Sequence, residues 1–476
     1  MISSLFIISS LDRHSNFYIL SGVNSAAEPS NRQLRQAIYS LALPIVWSNL
    51  LQRGVGIIDA MMVGHLGAPE LAGVGMAQLV VFLANAMNMG IGIGAMILVA
   101  HATGAGDKES RCRAGGTGMV MGTVASVGLS IAGYFTSYEA ARLMGADHQV
   151  ASLAEKYLHI IFIFFVPRGL IYILSSIFQG AGDSKTPLRV IVWVNIVHIL
   201  LAYPLIYGVW SETLGIYIIP YGVKGAAWAN GLSELGGIIV LIFLALKKKM
   251  LNFTYCRFDY PCSRKIIRLG TPVYLERILI TSMQMVYARM VVGFSVAAYA
   301  AHQIGFNIEA LAFLPGLGFA QAATAMVGQN LGAEKPERAR RVGYQSNLIA
   351  LVIMTLFGIS YLVVPQFWVS LFTTDPAVAA YGVIFCYIAA FIQAPLASSM
   401  VFAGALRGAG QTRFVMYTTI VGAWIIRLPF AFIFGIHLGG GIIWVWMAML
   451  ADWVSRSLIL YWRYKWGKSF ESGLEI

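Results

Sequence analysis

Helix breakers, loop glycines and loop charges recur in this 476-residue chain at one fixed separation of 228 residues, with no gap. Pro44 returns as Pro272, Gly104-Ala105 as Gly332-Ala333, and Glu109, Arg113 and Gly115 as Glu337, Arg341 and Gly343. Further along, Asp147 returns as Asp375, Pro167 as Pro395, and Gly180-Ala181-Gly182 as Gly408-Ala409-Gly410. Hydrophobic composition alone would not align punctuation in this way, so the chain holds two copies of one architecture.

Composition sets the solvent for that architecture. Hydrophobic residues make up 58% of the chain and charged residues 11%, whereas soluble domains carry about 25% charge. Apolar stretches of at least about 18 residues recur from end to end, each able to cross about 30 Å of hydrocarbon at about 1.5 Å per residue. Spans are expected over 37–63, 71–100, 115–135, 153–179, 188–208, 225–246, 266–292, 299–329, 344–364, 379–405, 414–435 and 442–462. The expected fold is therefore an all-α integral membrane protein, with twelve transmembrane helices in two homologous six-helix lobes. An N-terminal tail (1–35) precedes the N-lobe (36–247), a charged linker (248–265) leads into the C-lobe (266–465), and a short tail follows (466–476).

The net charge of +12 could suggest nucleic acid as a partner, but its placement points to a membrane. Lys108, Arg111, Arg113, Lys185, Arg189, Lys247, Lys248, Lys249, Arg264, Lys265, Arg338, Arg340, Arg341, Arg407 and Arg413 all fall in alternate loops, and the other loops hold almost none. Under the positive-inside rule this places both termini in the cytoplasm and makes the chain a multi-pass protein of the plasma (inner) membrane. An even number of helices per copy relates the halves by an axis along the membrane normal. The apolar run Ile2–Leu11 lacks the basic flank and cleavage site of a secretory signal. The four scattered cysteines form no metal or disulfide framework, and no HExxH, GxSxG or HxE pattern lies in or beside a span, so no enzyme, cofactor or structural metal is expected.

At this point the residues resemble the multidrug and toxic compound extrusion transporters, the MATE family of the MOP superfamily. The segments that carry the resemblance are Leu43-Pro44, Asp59 with Val63-Gly64, Gln179 to Asp183, Ala300 to Ile304, Pro315 to Phe319, Val327 to Ala333 and Leu406 to Gly410. It implies two lobes around a central cavity and alternating access. It also implies efflux of small amphipathic, cationic drug-like compounds, by a monomer surrounded by lipid, coupled to inward proton or sodium flow. A lipid-linked saccharide flippase of the same superfamily is the alternative, with a more cationic cavity expected.

A charge at the bilayer centre costs about 2.5 to 3.5 kcal/mol on insertion scales, so every embedded ionisable group needs a partner, water or a function. Asp59 lies deep in the first span, with Val55, Gly56, Met62 and Val63 at the helical neighbour positions and no base among them. Gln52, seven residues earlier, returns to nearly the same helix face and is the expected cavity partner. The plainer reading is an Arg partner from another helix. The resemblance implies that Asp59 is the first-helix aspartate that binds the coupling cation, sodium included. Pro44 removes a backbone donor fifteen residues before Asp59 and is read as a hinge, with Pro272 as its copy; simple tolerance of proline in a membrane helix is the alternative.

In the C-lobe, Glu276 sits beside Arg277, and His302 and Glu309 fall seven apart on one face as a proton-accepting pair; static Glu-Arg or Glu-His networks would explain them equally. Related sodium-coupled transporters carry acids in the seventh and tenth helices. Here the tenth span holds none between Asp375 and Arg407, and Gln393 is its main polar side chain, assigned to the cavity. The fifth span offers Asn195 and His198 where another family pattern has an acid. Asn195 is taken as an oxygen donor to the coupling ion and His198, like His159, as a packing residue. This incomplete carboxylate set favours protons over sodium. Arg53, Arg168, Arg289 and Arg427 are embedded cations that either face anionic substrate groups or pair with Glu276, Glu309 or Glu234, the last nearer a helix end.

Overall fold

The structure, a computed structural model, describes residues 28–211, 216–467 and 470, so most of the two expected tails lies outside the described residues. Among the described residues, ten helices are long and apolar enough to cross a membrane: Asn31–Gly64, Ala68–Gly104, Lys108–Leu143, Lys185–Tyr207, Val223–Lys247, Val296–Gly332, Pro336–Val363, Pro376–Gly408, Thr412–His437 and Gly441–Trp466. A bent pair, His148–Ile163 and Phe165–Gly180, supplies the fourth span. Tyr260–Val292, whose body carries Glu276 and Arg277, supplies the seventh. Each span is counted below in this chain order, first to twelfth.

The repeated punctuation has local causes. Asp147 and Asp375 are N-caps of the fourth and tenth spans, accepting from the backbone N–H of Val150 at 2.8 Å and of Ala377 at 2.8 Å. Gly182 and Gly410 follow the ends of the same two spans at φ of 91° and 80°, a left-handed conformation that closes a helix and that side chains avoid. The first span opens on a capping box in which Ser30 accepts from the Gln33 N–H and the Gln33 side chain accepts from that of Ser30.

Three features depart from the expected pattern. The fourth span, expected to be continuous, bends by 57° around Phe164. Pro167 cannot donate back to Ile163, yet its copy Pro395 lies inside the unbroken helix Pro376–Gly408, so the proline alone does not account for the break. The eleventh span contains two wide π-helical stretches, Val421–Arg427 and Ala431–His437. Between the fifth and sixth spans, Val209–Ser211 pairs antiparallel with Ile216–Ile218, a two-stranded hairpin in an otherwise helical molecule.

The lobes meet along two seams related by the 228-residue repeat. A side chain on Gly90 would strike the Gly270 carbonyl and Tyr274, joining the second span to the seventh; one on Gly318 would strike Val46, joining the eighth to the first. Gly318 and Val46 are the copies of Gly90 and Tyr274. The second and eighth spans then cross at their ends: a Cβ on Gly104 would overlap the Gln329 carbonyl, and one on Gly332 the His101 carbonyl. Two equivalent hydrogen bonds finish the crossing, Gln329 Nε2 donating to Gly180 O at 2.8 Å and His101 Nε2 meeting Gly408 O at 2.9 Å. This closed end carries the basic loops and the start of the first helix, where Arg341 binds Glu28 at 2.7 Å across the lobes.

Candidate functional site

Asp59 and His198 meet in the half of the N-lobe away from the closed end. His198 Nε2 lies 2.6 Å from Asp59 Oδ1, joining the fifth span to the first, with side chains 3% and 10% exposed. Tyr207 reinforces the contact by donating its hydroxyl to Met62 O at 2.6 Å. The alternative of an Arg partner for Asp59 is thus replaced by an imidazole, and the reading of His198 as a packing residue is corrected. An imidazole can donate or accept a hydrogen bond, so the buried carboxyl group has a partner of either sense.

Beside this pair, Arg168 of the fourth span binds Glu234 of the sixth through Nη2 at 2.9 Å and Nε at 3.1 Å. Its Nη2 also donates to Asn230 Oδ1 at 2.8 Å. The partner of Arg168 is therefore an acid which the sequence placed near a helix end. The bend at Phe164 lies one turn before Arg168, in the same stretch of the span.

In the C-lobe the expected groups are engaged otherwise. Glu276 is gripped not by adjacent Arg277 but by Arg407, whose Nη2 donates at 2.9 and 2.8 Å, and by Thr419 Oγ1 at 2.9 Å. His302 and Glu309 do not pair. Seven helical residues separate them by about 10 Å along the axis, and His302 Nδ1 instead accepts from Trp446 Nε1 at 3.2 Å. Glu309 is buried, with Oε2 lacking a hydrogen-bond partner. Asp452, fully buried, binds Arg427 at 3.0 Å and also Arg456, so Arg427 too has its acid.

Four further expectations resolve by position. Gln52 is exposed and, like His302 from Glu309, is about 10 Å along the helix from Asp59. Gln393 is fully buried against Gly358 inside the C-lobe, so its amide is not presented between the lobes. Asn195 lies three residues before His198 with its amide nitrogen buried and unpartnered. Pro44 and Pro272 are buried within unbroken helices; the Pro44 carbonyl accepts from Ser48 Oγ at 2.8 Å.

The chemistry is not duplicated with the fold. The C-lobe copies of Asp59, Arg168, His198 and Glu234 are Tyr287, Leu396, Ile426 and Trp462, so the N-lobe cluster has no equivalent. Tyr287 uses its hydroxyl to donate to the Val445 carbonyl at 2.6 Å.

Comparison with known proteins agrees with the two-copy helical architecture. A family model described as MatE matches residues 44–204 and again 272–433, the same two copies. A probable multidrug resistance protein NorM of Thermotoga maritima is 27% identical over 92% of this chain and 94% of its own length. A probable multidrug resistance protein YpnP of Bacillus subtilis is 26% identical over 89% and 93%. A crystal structure of a MATE P26A mutant superposes with a TM-score of 0.84 at 20% identity, over 96% of this chain and 98% of that one. An outward-facing conformation of a multidrug resistance MATE family transporter superposes with a TM-score of 0.82 at 21% identity, over 91% and 95%. With its two matched halves, its twelve helical spans and its lobes joined along paired seams, this chain belongs to the MatE family of multi-pass membrane transporters.

Proposed function

We propose that the protein is a cation-coupled antiporter that expels amphipathic compounds by alternating access, with Asp59 and His198 as its coupling pair. The observation that carries this reading is the 2.6 Å contact between them, buried in lipid-depth protein. The first span is where an ion could act on the lobes. Its far half is tied to the fifth span through Asp59 and Met62, and its near half, Leu34 to Val46, packs on the eighth span of the other lobe. Pro44 lies in the packed near half, below the ion-binding half. Protonating the pair changes the hold of the fifth span on the first, and the same helix transmits the change to the seam.

A proton fits the donor set better than sodium, because an imidazole nitrogen occupies the carboxylate oxygen that a hard, oxygen-seeking cation would use. With the basic loops inside the cell, the closed end faces the cytoplasm and the far half opens outward. The test is dye efflux from proteoliposomes under a pure pH gradient and under a pure sodium gradient. Export driven by the pH gradient alone is expected; export driven by sodium alone would overturn the proton assignment.

A further inference from the structure

Two of the contacts that join the lobes are made by arginines. Arg53 of the first span donates through Nη2 to Asn307 Oδ1 of the eighth at 2.9 Å. Arg277 of the seventh span lays its guanidinium over the Phe82 ring of the second, 4.4 Å from the centroid. One arginine thus comes from each lobe, and each reaches over one of the two seams. Arg53 lies about 16 Å along the helix from its far end, at membrane depth.

Neither arginine forms an ion pair among the described residues. The acids that could have neutralised them are committed or enclosed: Asp59 to His198, Glu276 to Arg407 and Thr419, and Glu309 buried within its lobe. Guanidinium groups stay ionised in proteins, so two positive charges stand where the lobes diverge, and Glu276, the acid that acts on Arg277, is itself bound to Arg407. Around them the walls are mixed. Phe82 is 40% exposed, and Gln303 and Asn307 form a polar ladder on the eighth span, with the Gln303 amide donating to the Tyr299 hydroxyl at 2.8 Å.

We infer that the cleft between the lobes takes cargo with an anionic end, a carboxylate or sulfonate carried on an aromatic body, attracted by Arg53 and Arg277. Two like charges in a partly desolvated cleft repel an organic cation and attract an anion, and a guanidinium offers a planar fork matched to both oxygens of such a group. The Phe82 face, already stacked on Arg277, suits the aromatic body. This deepens the efflux reading and rests on it for transport, but it reverses the cargo charge expected from sequence.

The test uses two dyes on one xanthene scaffold, net-anionic sulforhodamine B and net-cationic rhodamine 6G, with binding to purified protein read by fluorescence polarisation. Wild type is expected to bind sulforhodamine B the more tightly. Arg53→Gln and Arg277→Gln should each weaken that binding by about tenfold, the scale of one charge-assisted hydrogen bond, and Arg277→Lys, which keeps the charge but not the fork, should fall between wild type and Arg277→Gln. Equal or tighter binding of rhodamine 6G, no binding of sulforhodamine B, or unchanged anion binding by a double Gln variant that unfolds at the wild-type temperature would overturn the inference. Export of rhodamine 6G alone, abolished by Asp59→Asn, would also overturn it while leaving ion-coupled efflux standing. Tight anion binding that the two Gln variants lose, with no gradient-driven export of either dye, would uphold it and sink the efflux reading.

Discussion

His198 Nε2 and Asp59 Oδ1 sit 2.6 Å apart across the fifth and first spans, though 139 residues separate them in sequence. Removing the imidazole in His198→Ala leaves a buried carboxylate alone, a loss of about 3 to 5 kcal/mol for breaking a buried charged pair. The coupling pair is then broken, so gradient-driven efflux should fall to background. His198→Gln, which keeps a hydrogen-bond donor but cannot titrate, should restore thermal stability in detergent without restoring efflux. Efflux at the wild-type rate in His198→Gln would remove the imidazole from the coupling step.

Arg168 and Glu234 are expected to hold the site rather than move protons. Arg168→Leu should lower stability by about 3 to 5 kcal/mol because Glu234 is left buried and unpaired, while Arg168→Leu with Glu234→Leu should recover most of it. Thermal unfolding of the two variants checks this, and a double variant no more stable than the single would show that the pair does more than balance charge.

The crossing at Gly104 and Gly332 sets how the lobes close. A Cβ at either position meets backbone carbonyls, of Gln329 and His101, which cannot swing aside as a side chain could. Gly332→Val should hold the basic end apart. Spin labels at exposed positions Lys108 and Lys335, in a background without the four native cysteines, should then report a longer distance than in wild type. An unchanged distance would mean that the seam closes by another route.

Asp183, in the loop between the fourth and fifth spans, ties that loop to the linker through Lys248 Nζ at 2.8 Å. Burial alone would raise its carboxyl, but the hydrogen bonds from Lys248 and Thr186 outweigh burial and hold it below its ordinary value of 3.8. Stability from this contact is therefore present in full above that value and is lost as pH falls through the depressed one. Asp183→Asn should unfold at a lower temperature than wild type near neutral pH, with the gap closing only in strong acid. A gap that closes between neutrality and mildly acidic pH would place the titration elsewhere.

The repeat, the spans and the burial of Asp59 were legible in the sequence because each depends on local signals: caps, left-handed glycines and runs of apolar residues. The partner of Asp59 was not. Which face of the fifth span meets the first depends on the rotation of two packed helices, and Asn195 and His198, three residues apart, occupy neighbouring faces. Beyond Arg189 the fifth span offers only those two strongly polar groups, and residue chemistry favours the amide as an ion ligand where helix packing selects the imidazole. Glu234 was one of three acids open to Arg168, and local signals could not single it out because the pairing joins residues 66 apart on two helices. In the C-lobe, helical periodicity rightly put His302 and Glu309 on one side, but a shared face is not a contact when two turns intervene.

The coupling role of Asp59 is tested most directly in proteoliposomes that hold either wild type or Asp59→Asn, a change that keeps the shape and a hydrogen bond to His198 but removes the titratable acid. Dye export is followed after a pH gradient is imposed. The account predicts rapid export by wild type and none above protein-free vesicles for Asp59→Asn, with dye binding retained. Export by Asp59→Asn at the wild-type rate would contradict it.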